Sequence, residues 1–365
     1  MSEKCELAKS NSSEQRLSIA EKLDLLPALV SILWVGFISV FTGIKRGKNG
    51  TPSFHLHVAY SILRKATRRL SPLQFQWMSP PTDKMYEIYM KRRRLTPETI
   101  MLDHGAKGHW IGSQNAPYVL IWYHGGGFCL PANIGYFKFW ADLCSSSRDS
   151  GKDVAIFAVT YTLAPHAQYP VQLIQAVEAL RYVLTIPHYR PGNILLGGDS
   201  AGGNLALGVL SHLTHSHPAI TNLNVSESLA GTVVIAPWTS LEETVAGKYD
   251  CTGDIITPDA AKPWASAYLG KTERDYYTDP VTAPSSWFSN FPVQEILVLG
   301  GQNEILLPFI KQFVVKVKTG FPSIEFFIGE GEGHVAPIYN LYVGDKKETK
   351  QGHKVKAWLK RFLTN

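Results

Sequence analysis

Hydrophobic and polar positions fall into distinct regimes along the chain. Residues 1–24 form a polar segment, after which "LLPALVSILWVGFISVFTGI" (25–44) runs for twenty residues without a charge, about the length of a bilayer-crossing helix. Pro27 lies in its first turn, where proline is tolerated. The polar lead and the "KRGK" that follows are unlike the layout of a cleaved signal sequence, so the run reads as an uncleaved single-pass anchor. The next stretch, "HLHVAYSILRKATRRL" (55–70), interleaves apolar and basic residues at helical spacing. It predicts an amphipathic helix covering the core of the domain that follows.

From Thr96 onward short apolar runs alternate with helical periods. The runs at 118–123, 153–161, 193–198, 231–237, 295–301 and 323–329 predict strands, and those at 171–185, 201–214, 307–320 and 350–363 predict helices. Strands this continuously apolar, separated by helices, make an α/β fold with a mostly parallel sheet buried on both faces. Ligands of such sheets sit at the carboxyl ends of the strands.

Two glycine-rich stretches fall at such ends. After "YVLIWY" comes "HGGGF" (124–128), where bare backbone allows a ligand close to main-chain N–H groups. After the strand at 193–198 comes Gly198-Asp199-Ser200-Ala201-Gly202, a G-x-S-x-G between a predicted strand and a predicted helix. That context is the one a nucleophile elbow requires, and glycine flanks it because side chains there would collide. The lysine of a P-loop is absent.

A serine hydroxyl needs a base, and the base needs an acid to orient it. In chain order the acid and then the histidine belong in loops after later strands. Glu304 follows the strand at 295–301 and His334 follows the strand at 323–329. Asp254 and Asp279 are reserve acids, disfavoured because they precede the strand at 295–301. Oxyanion donors would be the N–H groups of Gly126, Gly127 and Ala201, with His124 anchoring the loop rather than acting as base.

"HGGGF", "GDSAGG" (198–203) and the stretch around Tyr268 to Pro280 resemble the hormone-sensitive-lipase branch of the α/β-hydrolases over about Tyr118 to the C-terminus. The anchor and "GEGHVAP" make the chain more similar to the membrane-bound steryl acetyl hydrolases and arylacetamide deacetylases. The resemblance implies an α/β-hydrolase fold with a helical cap and no cofactor. It implies a catalytic Ser200, Glu304 and His334, a small lipophilic ester as substrate, and residence in the endoplasmic reticulum membrane. Two positions depart from the family pattern: Glu304 stands where aspartate is usual, and His166 where an acid is common. The chain then divides into the polar segment 1–24, the anchor 25–44, cap helices and first strands at 52–115, and a catalytic domain at 116–365. Other functions compatible with the same serine are amide or formamide hydrolysis and acyl transfer; a non-catalytic receptor on this fold is a further class.

Composition adds limits. The net charge of +6 is scattered apart from "KRRR" (91–94), which reads as solvated surface, and no motif points to nucleic acid. The four cysteines, Cys5, Cys129, Cys144 and Cys251, have no zinc-like or disulfide-framework spacing. His212, His215 and His217 have metal-like spacing but read as a solvated helix end, so no metal site is expected. Aromatic residues Trp238, Trp264, Tyr268 and Trp287 are candidates for lining an apolar acyl or alcohol pocket. Basic residues around the anchor lean toward a cytosolic catalytic domain, whereas the sequons at Asn11, Asn49 and Asn224 would serve only in a lumen.

Overall fold

The computed structural model describes residues 16–47, 50–149, 151–242 and 251–364; Cys5 and the sequons at Asn11 and Asn49 lie outside them. Four helices come first: α1 (Ile19–Thr42), α2 (Phe54–Arg69), α3 (Pro72–Met78) and α4 (Thr82–Arg93). Serines start three of them. Ser18, Ser53 and Ser71 each accept a first-turn N–H, with Glu21 and Gln74 completing capping boxes at α1 and α3. Lys91, Arg92 and Arg93 close α4, where basic charge suits the helix dipole, and these side chains are exposed as expected.

The sheet then begins with β1 (Thr99–Met101), β2 (Lys107–Ile111), β3 (Tyr118–Tyr123), α5 (Ile134–Arg148), β4 (Val154–Thr160), α6 (Val171–Leu184) and β5 (Ile194–Asp199). It continues through α7 (Ala201–Thr214), β6 (Gly231–Ile235), α8 (Pro258–Leu269), β7 (Ile296–Gly301), α9 (Leu307–Gly320), β8 (Ile324–Gly329), α10 (Ala336–Tyr342) and α11 (Lys350–Thr364). The strands order as β1-β2-β4-β3-β5-β6-β7-β8. β1 and β2 are antiparallel additions at one edge, and β3 to β8 are parallel.

Burial explains the parallel part. Val119 to Tyr123 in β3 and Ile194 to Leu196 in β5 are fully buried, so helices cover both faces. The order also sets the site. β3 lies between β4 and β5, with Tyr123 opposite Gly198; the chain reverses its winding direction there, which opens a crevice at the strand ends. The segment after β3 and the segment after β5 therefore emerge side by side.

Candidate active site

Ser200 caps α7 with φ 51° and ψ −119°, a left-handed backbone that costs a non-glycine residue about 1–3 kcal/mol. The surroundings enforce it. Ser200 N–H donates to the Ile235 carbonyl at 2.9 Å, and Trp238 N–H donates to the Ser200 carbonyl at 2.9 Å, so the end of β6 and the segment after it clamp the turn from both sides. A Cβ on Gly198 would lie 2.2 Å from the Gly202 carbonyl, and one on Gly202 would lie 1.9 Å from the Tyr123 carbonyl. Only glycine fits either position.

Asp199, passed over in the sequence, joins the two glycine motifs. Its buried carboxylate accepts from Trp122 Nε1 at 3.1 Å, Gly125 N–H at 3.2 Å and the Tyr136 hydroxyl at 2.6 Å. Burial pushes its pKa up to about 6, against the pull of those donors. The available signal was its place inside the serine turn, which strand pairing sets against the glycine loop.

That loop is fixed from beneath by His124. Its Nδ1–H donates to the Gly125 carbonyl at 2.8 Å, its ring stacks on Tyr161 at 4.5 Å, and the Tyr161 hydroxyl donates to its carbonyl at 2.8 Å. Burial lowers the imidazole to about 4, so the ring is neutral at physiological pH. Gly127 has φ 59°, and a Cβ there would lie 2.2 Å from the Trp264 ring. Among the described residues, no group accepts from the N–H of Gly126, Gly127 or Ala201. Three backbone donors thus stand uncommitted beside Ser200. His166 supports the loop at one remove: its Nε2 meets Gln76 Oε1 at 2.8 Å, and Gln76 donates to the Cys129 and Ala164 carbonyls, each at 2.8 Å.

Glu304 and His334 meet because their loops are tied together. Asn303 N–H donates to the Glu332 carbonyl at 2.8 Å, and the Glu332 carboxylate accepts from Gln351 N–H at 3.0 Å at the start of α11. Glu304 Oε2 accepts from Gly301 N–H at 2.7 Å, leaving Oε1 3.8 Å from His334 Nδ1. Both side chains are buried. Burial pulls the imidazole pKa down, but Glu304, Asp254 and Asp199 together outweigh it, and the net shift is upward.

The two reserve acids separate. Asp279 is committed elsewhere, accepting from Leu241 N–H at 2.7 Å and the Thr278 hydroxyl at 3.0 Å. Asp254 lies at the site despite its position before β7. It accepts from Ile255 N–H at 2.6 Å and from Ile305 N–H, next to Glu304, at 2.7 Å. A Cβ on Gly333 would fall 2.3 Å from the Gly253 carbonyl, so this segment packs directly on the His334 loop. Burial raises Asp254 to about 6.

One cavity of about 30 Å³ takes in Gly126, Gly127, Ser200 and His334 under a roof of Thr67, Ile255, Ile256 and Trp264, with Trp238 and Tyr339 in its walls. Of the other sequence-selected aromatics, Tyr268 stacks on Phe128 at 3.6 Å, while Trp287 stacks on His215 at 3.8 Å and is absent from the cavity. A wider cleft of about 800 Å³, lined by Arg274, Asp275 and Asp279 among others, contains neither Ser200 nor His334. The histidine cluster is not the solvated helix end expected from sequence. His212 and His217 are buried, and His217 meets the Tyr169 hydroxyl at 3.0 Å. Among the described residues no group of three or more His, Cys, Asp or Glu side chains is placed to hold a metal.

A family model described as the alpha/beta hydrolase fold matches residues 120–337, a span that takes in the glycine loop, Ser200, Glu304 and His334. The chain is similar to an esterase of Acinetobacter venetianus, 24% identical over 297 residues that cover 79% of this chain and 91% of that protein. It is also similar to steryl acetyl hydrolase 1 of Saccharomyces cerevisiae, 30% identical over 242 residues that cover 61% of this chain and 54% of that protein. Among solved structures, an esterase of the bacterial hormone-sensitive lipase family aligns with a TM-score of 0.62 at 22% identity, covering 85% of this chain and 97% of that one.

Proposed function

The chain belongs to the α/β-hydrolase fold family, and from that premise we propose that it is a membrane-associated serine carboxylesterase acting on short acyl esters, acetyl foremost, of a lipophilic alcohol. The observation that carries the reading is the small cavity where Ser200, His334 and the glycine loop converge. A water-sized group needs about 10–15 Å³, so about 30 Å³ suits an acetyl group better than a long acyl chain. The apolar roof and the likeness to a steryl acetyl hydrolase favour a lipophilic alcohol, and the long apolar α1 favours a membrane setting.

In this mechanism Ser200 Oγ attacks the ester carbonyl carbon while His334 Nε2 takes its proton; Nδ1 is turned toward Glu304. Charge develops on the carbonyl oxygen, where the N–H groups of Gly126, Gly127 and Ala201 receive it. Glu304 stabilises the imidazolium. Collapse expels the alcohol, which takes the proton from His334. Water, deprotonated by the same imidazole, then attacks the acyl-serine and releases the acid. Residues 116–365 supply this machinery, and 52–115 help to enclose it.

The test is hydrolysis of p-nitrophenyl acetate, butyrate and octanoate by the full chain, beside Ser200→Ala and His334→Ala variants that retain the wild-type fold. Acetate should be preferred and both variants inactive. Turnover surviving Ser200→Ala would overturn the mechanism.

A further inference from the structure

α1 has 24 residues and rises about 36 Å, which is enough to cross a bilayer. Its packing points to a different use. Leu25, Ala28, Ile32, Gly36 and Ser39 form a buried stripe along it, and contacts at both ends of the 16-residue α2 show the two helices running antiparallel between Asp24 and Thr42. At one end Thr42 Oγ1 meets His57 Nε2 at 3.0 Å. At the other, Asp24 takes both terminal nitrogens of Arg69 at 2.7 and 2.5 Å, and Gln74 donates to Asp24 at 3.1 Å.

α2 is in turn fastened to the hydrolase domain. Tyr60 donates to Asn340 at 2.5 Å, Thr67 to the Ile255 carbonyl at 3.1 Å, Arg64 to the Cys251 carbonyl at 2.9 Å, and Arg68 pairs with Asp259 at 3.0 Å. Turning α1 across a membrane in this arrangement would carry Arg64, Lys65, Arg68 and Arg69 into hydrocarbon, where each charge is costly. Among the described residues, nothing covers the opposite face of α1. Leu26 is 71% exposed, Leu33 69%, Trp34 62% and Phe41 59%, with Phe37 between them. The charges nearest this face, Lys22 and Lys45, are exposed and stand at its two ends. α1 itself carries no charge between Leu25 and Ile44; the polar side that an interfacial helix needs is supplied by α2, with Arg64, Lys65, Arg68 and Arg69, so the α1–α2 pair together presents one apolar and one basic side.

We propose that α1 lies in the plane of the membrane, inserting this face into one leaflet of anionic bilayers, and that it does not span. The occupant of the face is the headgroup–acyl boundary of lipid. This deepens the membrane association proposed above. It also sets α2, whose Thr67 forms part of the cavity roof, directly behind the lipid surface, so that an ester dissolved in the leaflet has a short path to Ser200.

The test places nitroxide labels at Leu26→Cys, Leu33→Cys or Phe41→Cys, one at a time, in the full chain carrying Cys5→Ser and Cys251→Ser, bound to phosphatidylcholine vesicles with and without phosphatidylserine. Power-saturation depths should be shallow and equal at the three sites. A middle label much deeper than the outer two would mean a spanning helix and overturn the proposal. Leu33→Glu with Phe37→Glu should lower vesicle binding about tenfold or more and leave hydrolysis of soluble p-nitrophenyl acetate unchanged. Failure of the wild type to float with either vesicle, together with a dimer that those glutamates dissociate, would assign the face to a second copy instead. Equal shallow depths in a protein that hydrolyses no ester would leave the membrane geometry standing and remove the esterase reading.

Discussion

Glu304 Oε1 stops 3.8 Å from His334 Nδ1, and neither atom has a hydrogen-bond partner among the described residues. The carboxylate is not drifting, since its other oxygen is held by Gly301 N–H at 2.7 Å. A loose acid–base contact that tightens when substrate binds is common in unliganded hydrolases. Under the proposed mechanism the gap closes as the imidazolium forms, because its charge draws Oε1 in.

Glu304→Gln is therefore expected to lower kcat for p-nitrophenyl acetate by about 10²–10⁴, with a smaller change in KM, since the carboxylate acts chiefly on the charged state of His334. Steady-state kinetics beside Asp254→Asn would decide which acid serves. A larger loss in the Asp254 variant would transfer the role to it.

The pH dependence has a defined sign. The base must be neutral to accept the serine proton, and His334 lies above its ordinary 6.5 because its neighbouring carboxylates outweigh burial. The acid limb of kcat/KM should accordingly have its midpoint above 6.5 and move down in Glu304→Gln, where burial meets less opposition. A midpoint that stays put in that variant would mean that Glu304 does not act on His334.

Much of this arrangement was legible in the sequence, for physical reasons that differ by element. The strands buried on both faces, such as β3 at Tyr118–Tyr123, and the long helices α7 and α9 carry continuous or periodic apolar signals and begin and end within a residue or two of the expected positions. β1, with exposed Thr99 and Met101, has no such signal. That Ser200 and His334 come together at one cavity was legible because turn sterics and strand ends constrain where they emerge. The nearness of Asp254 to Glu304 has no signal in the chain order, because the segment that carries it folds back onto the loop after β7. His212 and His217 were misread as solvated, since their burial depends on Tyr169 and the Tyr277 segment, far away in sequence.

Asp254 also makes a stability prediction. Its pKa rises from 3.8 to about 6 on folding, so the native state binds the proton more tightly than the unfolded chain. The stability gained from that proton is complete below about pH 3.8 and is lost as pH rises through about 6, a swing of order 2–3 kcal/mol. Asp254→Asn lacks this dependence. Thermal unfolding at pH 5 and pH 8 should find the variant gaining on the wild type at the higher pH; a melting difference independent of pH would contradict the assignment.

The last prediction concerns acyl length. Trp264 lies against Gly127 and roofs the cavity together with Ile255 and Ile256. The cavity beside Ser200 is small, about 30 Å³, so under the proposed function an octanoyl chain is accommodated better when this roof moves. Trp264→Ala removes the largest side chain from it, at a cost of about 3–5 kcal/mol in stability if the space stays empty. The ratio of kcat/KM for p-nitrophenyl octanoate to that for the acetate should rise about tenfold or more, since several methylenes gain a buried wall. Measured at a temperature where the variant is fully folded, an unchanged ratio would place the acyl chain elsewhere. The alcohol, not the acyl group, would then be the part of the substrate that meets Trp264.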